Sequence, residues 1–204
     1  MFVGLSQLLP LDDIATCKVI YTQVGSVSQG VADVRAAIEW AVRRRWAPII
    51  LVGWSMGSSV IVEAASKYRD TQVTRDDGRT VPAIRGIVTL AGDAAGVEGL
   101  ASFHPDHTSF LFVHGSQDSC VPPSCVAAMQ RLVPAGSDVT VIELPNDNHG
   151  LPSAMPVLTQ WIQRIVGVEA KAISAVALGN TVKSDESSVS AASEPTPAHV
   201  GAGS

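Results

Sequence analysis

Val52-Gly53-Trp54-Ser55-Met56-Gly57 lies between the apolar run Ile49-Ile50-Leu51-Val52 and a stretch, residues 58–68, that reads as a helix. Gly-x-Ser-x-Gly between a strand and a helix is the pattern of a nucleophile elbow. Such a tight turn strains the serine backbone and leaves no room for bulk beside it. Glycine is expected at both Gly53 and Gly57, because a Cβ at either would strike the strand or the helix. The turn lifts the Ser55 hydroxyl clear of the sheet. It also points the Met56 backbone N–H at whatever Ser55 attacks, near the positive end of a helix. A Gly/Ser-rich loop can match a five-residue pattern by chance; the flanking strand and helix favour the elbow.

Outward from this stretch, the upstream chain opens on a short helical face at residues 2–9, interrupted by Pro10 and the acidic pair Asp12-Asp13. Residues 17–22, rich in β-formers, predict a strand. After a loop with Ser26 and Ser28 as candidate caps, Val31, Val34, Ile38, Ala41 and Val42 predict a helix over residues 31–45. Downstream, residues 69–82 are polar and carry Asp76-Asp77-Gly78, a surface loop or hairpin. Apolar runs at 84–90, 110–114 and 139–144 predict strands. A helix opened by Pro122-Pro123 carries Val126, Met129 and Leu132, and a last helix spans residues 153–166. Strands that alternate with helices and are almost continuously apolar predict a mostly parallel sheet with helices on both faces, an α/β fold. From Val168 onward the composition shifts to Ala, Ser, Val, Glu, Thr and Pro with no aromatic residue, so residues 168–204 are expected to be a disordered tail.

The 204 residues suffice for one well-buried domain, and 46% apolar against 16% charged residues is the composition of a large core. A net charge of −5 offers no footprint for nucleic acid. Arg43-Arg44-Arg45 ends a helix, where cations complement the dipole. Three scattered cysteines, Cys17, Cys120 and Cys125, argue against a disulfide framework and suit a reducing compartment. No apolar run approaches the ~20 residues of a membrane span, and the N-terminal stretch lacks a basic leader segment. A cytoplasmic protein is expected.

A serine hydroxyl needs a base to take its proton, and the base, a histidine, needs an acceptor to fix its tautomer. Ser55 is followed by Asp118, past the strand at 110–114, and by His149, past the strand at 139–144. In a parallel sheet all three fall beyond the carboxyl ends of their strands, on the edge where open α/β folds bind ligands. Asp118 is the preferred acid, although it also suits a cap before Val121-Pro122-Pro123. Asp93, beyond the preceding strand, is the reserve acid; Asp147 is too local to His149 to orient it. His104 and His107 lack a third ligand signal and read as surface or pocket-rim residues rather than a metal site. Cys120 and Cys125 are expected to be small buried or pocket-side residues, with Cys120 a possible modifiable thiol.

Gly53-Trp54-Ser55-Met56-Gly57, His114-Gly115-Ser116-Gln117-Asp118-Ser119-Cys120-Val121-Pro122 and Asn148-His149-Gly150 together resemble the α/β-hydrolase superfamily, most closely its small dienelactone-hydrolase-like branch. The resemblance implies a hydrolase domain over residues 1–167, with Ser55 as nucleophile, Asp118 as acid, His149 as base and the Met56 N–H as an oxyanion donor. The branch is broad, so no particular substrate comes with it; a serine hydrolase acting on a small carboxylic ester or thioester, with no metal or organic cofactor, is the first reading. A non-catalytic interaction module with a protein partner and an acyltransferase are the alternatives. The superfamily also has several strands before the one placed at 17–22, including a central one that should lie between 17–22 and 49–52. One of those strands ends in a His-Gly-type loop that gives a second oxyanion N–H. The N-terminal part of the fold is therefore expected to be incomplete, leaving a gap in the sheet or forcing those two segments to pair.

Overall fold

The computed structural model describes residues 2–12 and 14–167; the tail expected at 168–204 lies outside them. Helix α1 (Phe2–Leu8) runs into a 3-10 turn at Leu9–Asp12. Helix α2 (Val27–Arg43) is followed by strand β1 (Ile49–Trp54) and helix α3 (Met56–Ser66). Strands β2 (Gln72–Thr74) and β3 (Thr80–Pro82) form the expected surface hairpin. Then come β4 (Ile84–Leu90), β5 (Ser109–Gly115), α4 (Cys125–Leu132), β6 (Val139–Leu144) and α5 (Ala154–Val166).

The main sheet has four strands in the order β1-β4-β5-β6, each neighbouring pair parallel. β4 and β5 hold the middle and are buried almost throughout, which is why their sequences are continuously apolar. Each face is closed by helices. Val31, Val34 and Ile38 of α2, Val60 and Val62 of α3 and Met129 of α4 pack with Ile87, Phe110 and Phe112 on one face. Leu5 of α1 and Leu158, Trp161 and Ile162 of α5 pack with Val88, Leu111 and Val113 on the other. The expected α/β architecture is what the chain forms.

Two expectations need correction. Helix α2 begins at Val27, not near residue 31, with the Ser26 side chain accepting from the Gln29 N–H at 3.3 Å. Gly30, which looked like the end of a loop, lies inside the helix because α3 approaches closely: a Cβ there would come within 3.2 Å of a Val60 methyl.

The second correction concerns residues 17–22, which join no ladder among the described residues. A run of β-formers becomes a strand only when a neighbour takes its N–H and C=O groups, and this segment takes no regular secondary structure. Its far end is tied instead to α2, where the Thr22 N–H donates to Asp33 Oδ2 at 2.8 Å. Between this segment and β1 lies a cavity of about 450 Å³, with Cys17, Val19 and Tyr21 on one wall and Leu51, Val52 and Gly53 on the other. Of the two outcomes expected for this part of the sheet, the structure has the gap.

Candidate active site

Ser55 sits at the turn between β1 and α3, with φ 54° and ψ −126°. That positive φ is one a non-glycine residue rarely adopts, at a cost of about 1–3 kcal/mol that the surroundings must offset. They do so by hydrogen bonding on both sides of the turn. The Ser55 N–H donates to the Leu90 carbonyl at 2.8 Å, and the Ser58 hydroxyl donates to the Gly53 carbonyl at 3.1 Å. A Cβ on Gly53 would collide with the Gly57 carbonyl oxygen and lie 2.8 Å from the Ser58 nitrogen, so glycine is required there. At Gly57 the expectation fails. Its Cβ would meet only the Tyr21 hydroxyl, at an ordinary 3.5 Å, because the crowding comes from the Gly57 backbone and not its side-chain direction. Met56 is the first residue of α3, where a backbone N–H has no intrahelical acceptor.

Asp118 lies in the turn after β5, its N–H donating to the Gly115 carbonyl at 3.2 Å. His149 lies in the loop after β6. The two loops are locked together at Gly115: a Cβ there would strike the Asp147 carbonyl, which accepts from the Gln117 N–H at 2.9 Å. The Asp147 side chain takes the Ser153 N–H at 2.9 Å, so it fixes the start of α5 and not the imidazole.

These elements bring Ser55, His149 and Asp118 into one hydrogen-bonded chain. His149 Nε2 is 3.0 Å from Ser55 Oγ, and His149 Nδ1 is 2.8 Å from Asp118 Oδ2. Asp118 Oδ1 accepts from the N–H groups of Cys120 and Val121 at 2.8 and 2.9 Å. Burial by itself would raise the Asp118 pKa; the hydrogen bonds from Val121, His149 and Cys120 outweigh it and hold the carboxyl below its ordinary value. An ionised Asp118 accepts the Nδ1 proton, which leaves Nε2 with a lone pair facing the Ser55 hydroxyl.

Asp93 is not part of this chain. Its Oδ1 accepts from the Ala95 N–H at 3.1 Å and lies 3.8 Å from Cys125 Sγ. His104 and His107 stack on each other with ring centroids 4.4 Å apart and join no cluster of three ligand groups among the described residues. Asp118, Cys120 and His149 do form such a cluster, with one ligand atom from each within 4.8 Å of the others. Cys120 is exposed, against expectation, because its N–H turns inward to Asp118 and carries the residue along the rim; Cys125 is half-buried, and all three cysteines are free.

Two neighbours of the site were not evident from the sequence. The Trp54 indole N–H donates to the His149 carbonyl at 2.8 Å, and the two rings lie 5.0 Å apart. Trp54 is a variable position of the Gly-x-Ser-x-Gly pattern, so nothing marked it. His114, fully buried at the end of β5, places Nε2 2.9 Å from the Val121 carbonyl and 3.2 Å from Asp118 Oδ2. A carbonyl only accepts, so Nε2 carries the proton and donates it to Val121, with Asp118 Oδ2 close beside that bond. A polar residue closing the apolar run four positions before Asp118 was the available signal.

No protein-family model matches the sequence, and no curated protein matches it. Solved structures do. The chain is similar to a truncated carbohydrate esterase from gut microbiota, at 18% identity and TM-score 0.52 over 67% of this chain and 68% of that one. An esterase domain from Rhodothermus marinus gives 15% identity and TM-score 0.53 over 72% of each chain. A chain from Klebsiella pneumoniae with a provisional dienelactone hydrolase assignment gives 14% identity and TM-score 0.51 over 70% of this chain and 62% of that one. At these identities the likeness speaks for fold, and with the parallel β1-β4-β5-β6 sheet it establishes that the chain has an α/β-hydrolase fold.

Proposed function

We propose that the protein is a serine hydrolase that cleaves a carboxylic ester or thioester through an acyl-enzyme on Ser55. The observation that carries the reading is the unbroken chain Ser55 Oγ–His149 Nε2 at 3.0 Å and His149 Nδ1–Asp118 Oδ2 at 2.8 Å. On this mechanism His149 Nε2 takes the Ser55 proton as Oγ attacks the acyl carbon, and Asp118 stabilises the imidazolium without itself becoming protonated. The tetrahedral oxyanion forms beside the Met56 N–H and the positive end of α3. His149 returns the proton to the leaving alcohol or thiol. Water, deprotonated by the same nitrogen, then releases the acid and frees Ser55.

Three further facts support the reading. The Ser55 backbone is held at positive φ, the Nδ1 partner is a carboxylate, and the chain is similar in fold to two solved esterases. The cavity beside β1 is lined by Trp54, Ser55 and Met56 and by Leu5, Leu9 and Ile162, so it offers an apolar acyl group a place next to the nucleophile. No helix among the described residues is long and apolar enough to cross a membrane.

The test is labelling of the purified chain by a fluorophosphonate, which needs an activated serine but no particular acyl group. The expected result is a single modified residue, Ser55, located by mass spectrometry and lost in Ser55→Ala. Failure of a folded chain to label, or labelling that survives the substitution, would favour a non-catalytic role for the scaffold.

A further inference from the structure

We propose that Asp118, Cys120 and His149 form an inhibitory site for a thiophilic divalent cation, with Zn²⁺ as the best match. The three residues offer a thiol sulfur, an imidazole nitrogen and a carboxylate oxygen that all lie within 4.8 Å of one another. Zinc takes this donor set, with bonds of about 2.0–2.3 Å and a water completing a tetrahedron. Two of the three ligands are already in place: His149 Nδ1 and Asp118 Oδ2 are 2.8 Å apart. A tetrahedral ion between them requires roughly 3.3 Å, a small opening of the present hydrogen bond. The third ligand, Cys120, stands at the surface beside them. The Cys120 N–H is anchored to Asp118 Oδ1 at 2.8 Å, while its side chain is exposed and free to turn its sulfur inward.

Occupancy would switch off the proposed nucleophile through the tautomer of His149. In the resting site Nδ1–H donates to Asp118 and the Nε2 lone pair faces Ser55. Coordination uses the Nδ1 lone pair, so the ring proton moves to Nε2 and the thiol proton leaves to solvent. Nε2 then donates to Ser55 Oγ and has no lone pair with which to take its proton. The ion also neutralises the carboxylate that would have stabilised an imidazolium. Nothing else in the fold needs to change. Chemistry without a metal and inhibition by one are compatible here, because the ion would occupy the orienting side of the imidazole and not the substrate side.

The inhibition rests on the serine-hydrolase reading; the binding does not, and the two are tested separately. The first measurement is calorimetric titration of Zn²⁺ into the full chain carrying Ser55→Ala, beside the same chain carrying Ser55→Ala and Cys120→Ser. One ion per chain with proton release is expected for the first, and binding at least tenfold weaker for the second. Equal affinity in the two would overturn the site, because any ion then sits elsewhere. The second measurement is the rate of fluorophosphonate labelling at Ser55 with and without Zn²⁺, each protein normalised to its own metal-free rate. Zn²⁺ should slow the wild-type chain at least tenfold, EDTA should restore it, and the Cys120→Ser chain should be insensitive. Tight Cys120-dependent binding with no effect on labelling would overturn the inhibitory role. Absence of labelling in every metal-free sample would count against the hydrolase reading and leave the calorimetric result standing.

Discussion

Asp118 ties the turn after β5 to His149. Its Oδ1 accepts two backbone N–H groups and its Oδ2 the His149 imidazole, so its negative charge is stabilised by three hydrogen bonds while it stays buried. Asp118→Asn would put an amide where a carboxylate faces Nδ1, favouring the wrong imidazole tautomer. Ester turnover should fall by about 10⁴-fold, whereas Asp93→Asn, at a residue whose side chain bonds to Ala95 and Cys125, should leave it nearly unchanged. The opposite ranking in steady-state assays of the two folded variants would move the acid to Asp93. The lowered pKa of Asp118 also has a sign for stability. The folded state holds the carboxylate ionised more firmly than the unfolded chain does, so Asp118 adds stability above the ordinary unfolded carboxyl pKa of about 3.9. That contribution is lost as pH falls through the lower folded value. Acid melts should therefore show a shallower loss of stability in Asp118→Asn than in the wild type over that range. Trp54 acts on the other partner. Its N–H holds the His149 carbonyl, so Trp54→Phe should lower kcat by roughly fivefold, the equivalent of the ~1 kcal/mol of one lost hydrogen bond. The change should appear with little effect on the melting temperature, since Trp54 is partly exposed.

At the level of elements, the turn between β1 and α3 depends on one glycine more than the other. Gly53→Ala would drive a methyl into the Gly57 carbonyl and the Ser58 nitrogen, both backbone atoms that cannot swing aside. It should cost at least the ~1–3 kcal/mol typical of overpacking. Gly57→Ala, whose Cβ has room, should cost far less, and denaturant melts of the two variants would rank them. The same contrast shows what was legible beforehand. Strands β4 and β5 were visible because strands buried on both faces are written as apolar runs, and β1 and β6 from the β-branched and apolar residues of their own runs. The carboxyl ends of β1, β5 and β6 then placed Ser55, Asp118 and His149 at one edge. The helix start at Val27 was not visible, because Gly30 reads as a breaker unless the close approach of Val60 is known. Residues 17–22 read as a strand because their composition is right, but composition does not report whether a neighbour exists to complete a ladder. Trp54 was missed because its partner His149 lies 95 positions away, and His114 because its contacts with Asp118 and Val121 depend on how the turn after β5 folds back; neither leaves a periodic trace.

For the whole molecule, the consequential feature is that β1, apolar on both faces, ends the sheet instead of lying within it. Ile49 and Leu51 pack toward α2 and α3, and Ile50 and Val52 toward α1 and α5, the pattern of an interior strand. Yet β1 has β4 as its only ladder partner among the described residues. The Ile49 N–H donates to Ala83 and the Ser55 N–H to Leu90, both at 2.8 Å. Strand alternation therefore turns the N–H groups of Leu51 and Gly53 toward β4 as well, and those of Ile50, Val52 and Trp54 toward the cavity. Amide hydrogen exchange resolved by residue should show this as a two-residue period. Leu51 and Gly53 should be protected nearly as well as the middle of the sheet, while Ile50, Val52 and Trp54 should exchange at least roughly tenfold faster. An open edge of this kind also invites pairing between chains. If all of these amides are equally protected at low protein concentration, the segment at 17–22 must close onto β1 in solution and the cavity beside Ser55 must shrink. If protection of the even-numbered amides instead rises with concentration, together with the sedimentation coefficient, the edge is being covered by a second chain. Only the alternating pattern, unchanged by dilution, corresponds to the free β1 edge described here.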